Sequence, residues 1–384
     1  MPRFKPNYPF ADLGEVALLP TPERVGAAAE YTGRGVVIAF IDAGFYMHPD
    51  LDDRVLVHAD ASTNHIVEQP YVETIDDLSW HGQMTSVIAC GDGRTSGGRY
   101  RGIASGSQLV LVKVSSPRGL IKEHDILRGL RWILDTHRRF NIKIVNISVG
   151  GDHVSNDPNH PLHRAIARLV EAGVTVIAAA GNRNAHDVVP PASTPQAITV
   201  GGYDDHNSLD RTRWTPYHND HGPAYDGSYK PDLTAPAMWI ASPILPGSFV
   251  DREARWLAPL LRITQEDELK PLLERGYADL GLKRNQINKL DDHLYGMLQG
   301  RINGHKLVDA QHQHVDGTSV SAAILSSVAA QMLEVNPSLT PAQIRAIFVT
   351  TAQQLPAVPS ERQGAGMLNA RGAVRTAAQK QQII

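Results

Sequence analysis

Five stretches of this chain are almost unbroken runs of valine, isoleucine, leucine and alanine, at 35 to 41, 109 to 115, 142 to 148, 174 to 180 and 197 to 201. A strand with one face in water alternates apolar and polar residues, so runs without alternation predict strands covered on both faces, as in a parallel sheet. Between and after them, apolar residues at helical spacing predict helices over 81 to 90, 123 to 139, 161 to 172, 319 to 334, 341 to 352 and 370 to 380. Thr340 and Pro341 give the fifth helix an N-cap and a first-turn proline. This alternation restricts the chain to an α/β fold with a mainly parallel central sheet and helices on both faces. The sequence has no internal repeat and no low-complexity tract.

Sites in such folds assemble at strand C-terminal ends and helix N-termini, and polar groups stand at those places. GVVIAFID closes at Asp42, VTVIAAAGN closes at Asn182, HGQMTSVIAC opens at His81, and SVSAAILSSVAAQML opens at Ser319 behind Gly317 and Thr318. Alone, each has an ordinary explanation: an Asp after a strand binds a turn, and Gly-Thr-Ser is a helix cap. Together, Asp42, His81 and Ser319 follow one of the three known chain orders of the serine-hydrolase triad. A serine hydroxyl is a poor nucleophile unless an imidazole takes its proton, and the imidazole needs a buried carboxylate to fix its tautomer. Attack on an amide also builds charge on oxygen, which a preorganised donor must meet; Asn182 is the candidate.

With those residues in place, the sequence from about Gly35 to about Val374 resembles the subtilisin-like (subtilase) serine peptidases. YRGIASGSQLVLVKV (100 to 114), IVNISVGG (144 to 151), AITVGG (197 to 202), KPDLTAPA (230 to 237) and GAGMLNARGAV (364 to 374) are similar to family landmarks and follow the family's order. The resemblance implies a three-layer subtilisin-like fold, with Asp42, His81 and Ser319 as the triad. It also implies that Asn182 and the backbone N–H of Ser319 are the oxyanion donors. By the same resemblance, Ser148, Val149 and Gly150 pair with an extended substrate backbone, as in strand addition at a sheet edge. Some positions depart from the family pattern. Ala43 replaces the usual Ser or Thr, Gln83 and Met84 replace Thr and His, Ala323 replaces Pro, and Ala237 replaces the Gly of an APG turn. None removes a catalytic group, and together they mark a divergent branch.

Composition sets outer bounds. A chain of 384 residues, 42% hydrophobic and 20% charged, is long enough for one large α/β core. With a net charge of −3 and a pI of about 6.6, no global field recruits nucleic acid or an anionic membrane. Apolar runs such as VTVIAAAG fall well short of the ~20 residues that cross a bilayer, so no span is expected. The opening MPRFKPNYPFADLGE lacks the apolar core of a secretory signal, and a single cysteine, Cys90, forms no internal disulfide; the expectation is a cytoplasmic protein or a chain trimmed at its start. Family proteases commonly carry an inhibitory propeptide, but only about 34 residues precede the first strand, so restraint by other means is expected.

The family pattern breaks between about 251 and 306, a gap that subtilases cross in a short connection. Trp256, Leu257, Leu260 and Leu261, and then Ile287, Leu290, Leu294, Met297, Leu298 and Ile302, fall at helical spacing, and Thr264 to Asp267 fits a capping box. A helical insertion of two to four helices within a single catalytic domain is expected. It is either a decorative subdomain or an element that gates the site or binds a regulatory protein. Its C-terminal end runs into the serine loop through His305, His312 and His314, which with Asp309 and Asp316 stand at spacings that match no metal-ligand pattern, so no metal is assigned. Structural calcium is common in the resembled family, and the clusters Asp50, Asp52, Asp53 and Asp204, Asp205 offer hard oxygen ligands. No cofactor is required.

The sequence therefore reads as a serine endopeptidase that acts on polypeptides through an acyl-enzyme. Two other readings stay open: a silent peptide-binding module, and a non-proteolytic acyl hydrolase or transpeptidase on the same triad.

Overall fold

The five runs form strands at Val37–Asp42 (β1), Gln108–Lys113 (β4), Ile142–Ile147 (β5), Thr175–Ala179 (β6) and Ile198–Asp204 (β7). They are joined by Val55–Asp60 (β2), Val67–Gln69 (β3) and Leu233–Pro236 (β8), which periodicity does not reveal. The structure is a computed structural model and describes residues 4–9, 18–71, 76, 78–116 and 118–381. Much of the opening MPRFKPNYPFADLGE, and the side chain of Asp52, lie outside the described residues.

Among the described residues the sheet has nine strands in the order β8-β7-β6-β5-β1-β4-β2-β3, with Thr215–Pro216 against β7; β3 and Thr215–Pro216 pair antiparallel and the rest are parallel. Alternate residues feed two cores. Ile38, Phe40, Leu109 and Leu111 pack on one face with the helices Ser79–Cys90 (α1) and Thr318–Val335 (α8). Val37, Ala39, Ile41, Val110 and Val112 pack on the other with Glu123–Thr136 (α2) and Pro161–Glu171 (α3). Both faces are therefore dry, which is why the strand sequences do not alternate.

Helix α8 is the spine of the molecule: all its residues except Glu334 are buried. By length and composition it could cross a membrane, but it is 94% buried inside this protein. Pro341–Thr351 (α9), capped by Thr340 as expected, and Ala370–Gln381 (α10) pack against the same core.

A separate two-stranded sheet, Ile240–Pro243 (β9) against His312–Val315 (β10), forms the stem of the segment that follows β9. Beyond the stem lie Phe249–Leu257 (α4), a short 3-10 turn, Glu266–Gly276 (α5), Arg284–Lys289 (α6) and Asp292–Gly304 (α7). They enclose a core of their own around Leu257, Leu260, Leu273, Leu298 and Ile302, joined by Phe4 from the N-terminal segment. One local expectation fails: helix α5 starts at Glu266 with Gln265 at its N-cap, so Thr264 does not open a capping box. The apolar spacing from Ile287 to Ile302 is shared by two helices. Leu290 turns left-handed (φ +44°), and Asp291 caps a new helix by accepting the Leu294 N–H at 3.0 Å.

Candidate active site

Asp42 ends β1 with its carboxylate fully buried and both oxygens engaged. Oδ1 accepts the Ala43 N–H at 2.7 Å and lies 2.5 Å from His81 Nδ1, while Oδ2 accepts the Thr85 hydroxyl at 2.8 Å. Thr85 belongs to no motif that the sequence displays. Its signal is its place four residues after His81, on the same face of α1. A proton shared by Nδ1 and a carboxylate leaves Nε2 bare, which is the tautomer that can take a proton from an alcohol. Burial works to lower the pKa of His81, but the charge and hydrogen bond of Asp42 outweigh it and hold the imidazole above its ordinary value. With 23% of its side chain exposed, His81 remains reachable from solvent.

Ser319 is the second residue of α8. Gly317 makes the turn from β10 into that helix at φ +137°, a region that side chains disfavour, and its N–H donates to the Ala237 carbonyl at 2.8 Å. The Ser319 hydroxyl donates to the Ser148 carbonyl at 3.4 Å, and no hydrogen bond joins it to His81 among the described residues. Such bonds are often long in ligand-free sites and tighten around substrate. The N–H of Ser319 lies in the first helical turn, where no carbonyl four residues back can accept it.

Asn182 follows β6. Its Oδ1 accepts both the N–H (2.9 Å) and the hydroxyl (3.0 Å) of Thr318, while Thr318 Oγ1 accepts the Gly181 N–H at 3.1 Å. The acceptor end of the amide is thereby fixed, and Nδ2 is the end left to donate. Asp220 holds the following loop by accepting the N–H groups of Arg183 (2.8 Å) and Ala185 (3.0 Å). Ser148, Val149 and Gly150 leave the end of β5, and Ser148 Oγ accepts from Asn146, which is bonded in turn to Ser326. Among the described residues, the backbones of Val149 and Gly150 pair with nothing, so this segment is a free edge beside Ser319.

The polar residues that follow α7 do not converge. His305 bonds Glu253, His312 bonds Asp309, His314 bonds Asn7, and Asp316 pairs with Lys306. Among the described residues no group of three or more His, Cys, Asp or Glu side chains could hold a metal ion. Of the carboxylates considered for calcium, Asp50 accepts the Thr95 N–H, Asp204 the N–H groups of His206 and Trp239, and Asp205 the Arg24 guanidinium. Cys90 is fully buried in the core, and burial pushes its thiol up to about 12, too high for a reactive thiolate.

The sequence pattern of the subtilase family matches residues 33–366. The chain is 28% identical over 351 residues to the serine protease AprX of Bacillus subtilis (strain 168), covering 89% of this chain and 67% of AprX. It is 32% identical over 189 residues to subtilisin-like protease 3 of Pseudogymnoascus destructans, covering 47% of this chain and 42% of that protein. Among solved structures, the protease domain of PatA superposes with a TM-score of 0.62 at 20% identity, covering 92% of this chain and 99% of that one; this likeness is one of fold. The chain belongs to the subtilase family, a family of serine endopeptidases.

Proposed function

We propose that this chain hydrolyses peptide bonds through an acyl-enzyme on Ser319. The observation that carries the reading is the buried Asp42 carboxylate, 2.5 Å from His81 Nδ1, on an imidazole whose Nε2 is left to accept a proton. In this reading Ser319 Oγ attacks the substrate carbonyl carbon and passes its proton to His81 Nε2. The new oxyanion accepts from Asn182 Nδ2 and the Ser319 N–H. Collapse then breaks the C–N bond as His81 returns the proton to the leaving amine, and water repeats the sequence to free the acid. The substrate backbone lies as an added strand along Ser148, Val149 and Gly150. Side chains and backbone supply every proton transfer and donor, so the chemistry needs no cofactor. The insertion narrows the choice of substrate rather than taking part in the chemistry.

The test is labelling with a fluorophosphonate probe together with hydrolysis of a peptide anilide. The wild-type chain should react with both and Ser319→Ala with neither. A Ser319→Ala protein that hydrolyses the anilide at the wild-type rate overturns the assignment. Labelling without any peptide or protein cleavage points to an acyl hydrolase of another kind.

A further inference from the structure

A cavity of about 380 Å³ opens between α1, the β9–β10 stem and the insertion. It falls within the ~300–1,000 Å³ usual for ligand sites. Five of its walls are apolar: Trp80, Ile244, Leu245, Val250 and Val315. The charged pair at its edge, Lys306 with Asp316, is internally neutralised, so the cavity presents no net charge to attract an ionic group. Six polar side chains also line it, and of these His305, His314, Lys306 and Asp316 are engaged with Glu253, Asn7 and one another, so a charged group entering it finds only Ser248 and Gln313 to replace its hydration.

Its place relative to the triad is what gives it meaning. Trp80 immediately precedes His81, and the two rings meet edge to face with centroids 5.2 Å apart. Val315 and Asp316 lead directly through Gly317 and Thr318 into Ser319. None of the lining residues belongs to the 148–150 edge or to Asn182. His81 is the group that hands a proton to the departing amine, so a cavity beside it faces the leaving half of the substrate.

The insertion supplies the outer wall and fixes it. Val250 comes from the first turn of α4, and His305 from the end of α7. Those two ends are bound together by the buried Glu253, which accepts from His305 Nε2 at 2.6 Å and from Arg301 at 2.7 Å. The stem is tied to the His81 helix through Gln83 Nε2, which donates to the Pro243 carbonyl at 3.0 Å. The cavity is thus preformed and held at a set distance from both His81 and Ser319.

We infer that this cavity takes a large apolar side chain from one of the first two residues after the cleaved bond, which makes the insertion a specificity element for the leaving half of the substrate. The inference rests on the peptidase reading above, and the experiment separates the two. Peptides share one acyl half and vary the first two leaving-side residues among Phe, Leu, Gly and Asp; an anilide with the same acyl half and no leaving-side residue monitors the chemistry alone. The wild-type chain should prefer Phe or Leu at one of these positions over Gly and Asp by about 10- to 100-fold in kcat/KM, the size expected for burying such a side chain. Val250→Arg, which sets a cation in the wall, should shrink that preference and raise the relative rate for Asp. A second readout needs no variant: phenylalanine amide should intercept the acyl-enzyme, its amine attacking the ester carbonyl and releasing the Ser319 hydroxyl, far better than glycine amide.

A wild-type enzyme that cleaves the anilide but shows equal rates across the series, with equal interception by the two amides, overturns the inference and leaves the peptidase reading standing. A folded Val250→Arg protein with the wild-type preference overturns the role of the insertion wall. A chain that cleaves neither anilide nor peptides overturns the peptidase reading, and the inference falls with it.

Discussion

Thr318 and Asn182 are bonded twice, the amide oxygen of Asn182 accepting both the backbone N–H and the hydroxyl of Thr318. Thr318 thus decides which end of the Asn182 amide is left to donate, the end that the proposed mechanism turns toward the oxyanion. Thr318→Val keeps the shape and removes the hydroxyl, so Asn182 loses one of its two anchors. The expected outcome is a fall in kcat of about tenfold, equivalent to about 1.4 kcal/mol of lost orientation, with KM little changed. Asn182→Leu should cost about 10² to 10³ in kcat, a size known from subtilisin rather than derived from this geometry. In the double variant the two losses should not add, because Thr318 acts through Asn182. Steady-state kinetics on the anilide check all three, and fully additive losses would separate the two residues.

The Asp42–His81 contact predicts opposite pH trends for activity and stability. Catalysis needs a neutral imidazole, and the Asp42 carboxylate holds the His81 pKa above the ordinary value of about 6.5, so kcat/KM should rise with pH through a midpoint above about 6.5. Stability runs the other way. A folded-state pKa raised above the unfolded one contributes stability in full below the unfolded pKa and loses it as pH rises through the folded value. In a Ser319→Ala background, which prevents self-digestion, the Tm gap between proteins with His81 and with His81→Ala should narrow across the activity midpoint. A gap that widens with pH contradicts the assignment.

Thr85 donates to the oxygen of Asp42 that His81 does not use. Thr85→Val leaves that buried oxygen without a donor, which should cost about 1–3 kcal/mol in chemical denaturation. It should also lower kcat about tenfold by loosening the carboxylate that orients His81. Thr85→Ser restores the hydroxyl and should recover most of both. If serine recovers stability but not rate, the contact is structural only.

Lys230 provides a control away from the chemistry. It is fully buried, its ammonium bonded to the Ala197 carbonyl and to Asp232, both at 2.8 Å. Lys230→Met removes one side of a buried pair and should destabilise the fold by about 3–5 kcal/mol. Asp232 keeps Arg345 and the Thr199 N–H as donors, so the folded variant should retain its kcat on the anilide. Unfolding curves and active-site titration distinguish lost protein from lost chemistry.

Asp42 and Asn182 stand out in the sequence because each closes a long apolar run, and His81 and Ser319 because each stands at the start of a helical pattern. Thr85 and Thr318 carry a weaker signal. Thr85 is visible only if the helix that opens near His81 is read at a spacing of four. Thr318 passes for an ordinary cap until a partner 136 residues away closes on it. The short strands β8, β9 and β10 are illegible for a different reason. They are four residues each, two contain proline, and their pairing depends on segments far along the chain. The break at Leu290 eludes the apolar periodicity because the spacing persists across it. The signal is Asp291, a capping residue set inside a helical pattern.

The β9–β10 stem closes the base of the insertion with paired strands before the chain enters Gly317 and Ser319. What happens beyond that clasp is insulated from the nucleophile, since the clasp fixes the spacing of its two ends whatever hangs from them. Lengthening a loop beyond such a closed base costs little, about 0.6 kcal/mol per doubling. The segment therefore behaves as an interchangeable cartridge on a constant cutting engine, and replacing 249 to 304 with another folded unit of matched ends is a route to new leaving-side selectivity without rebuilding the triad.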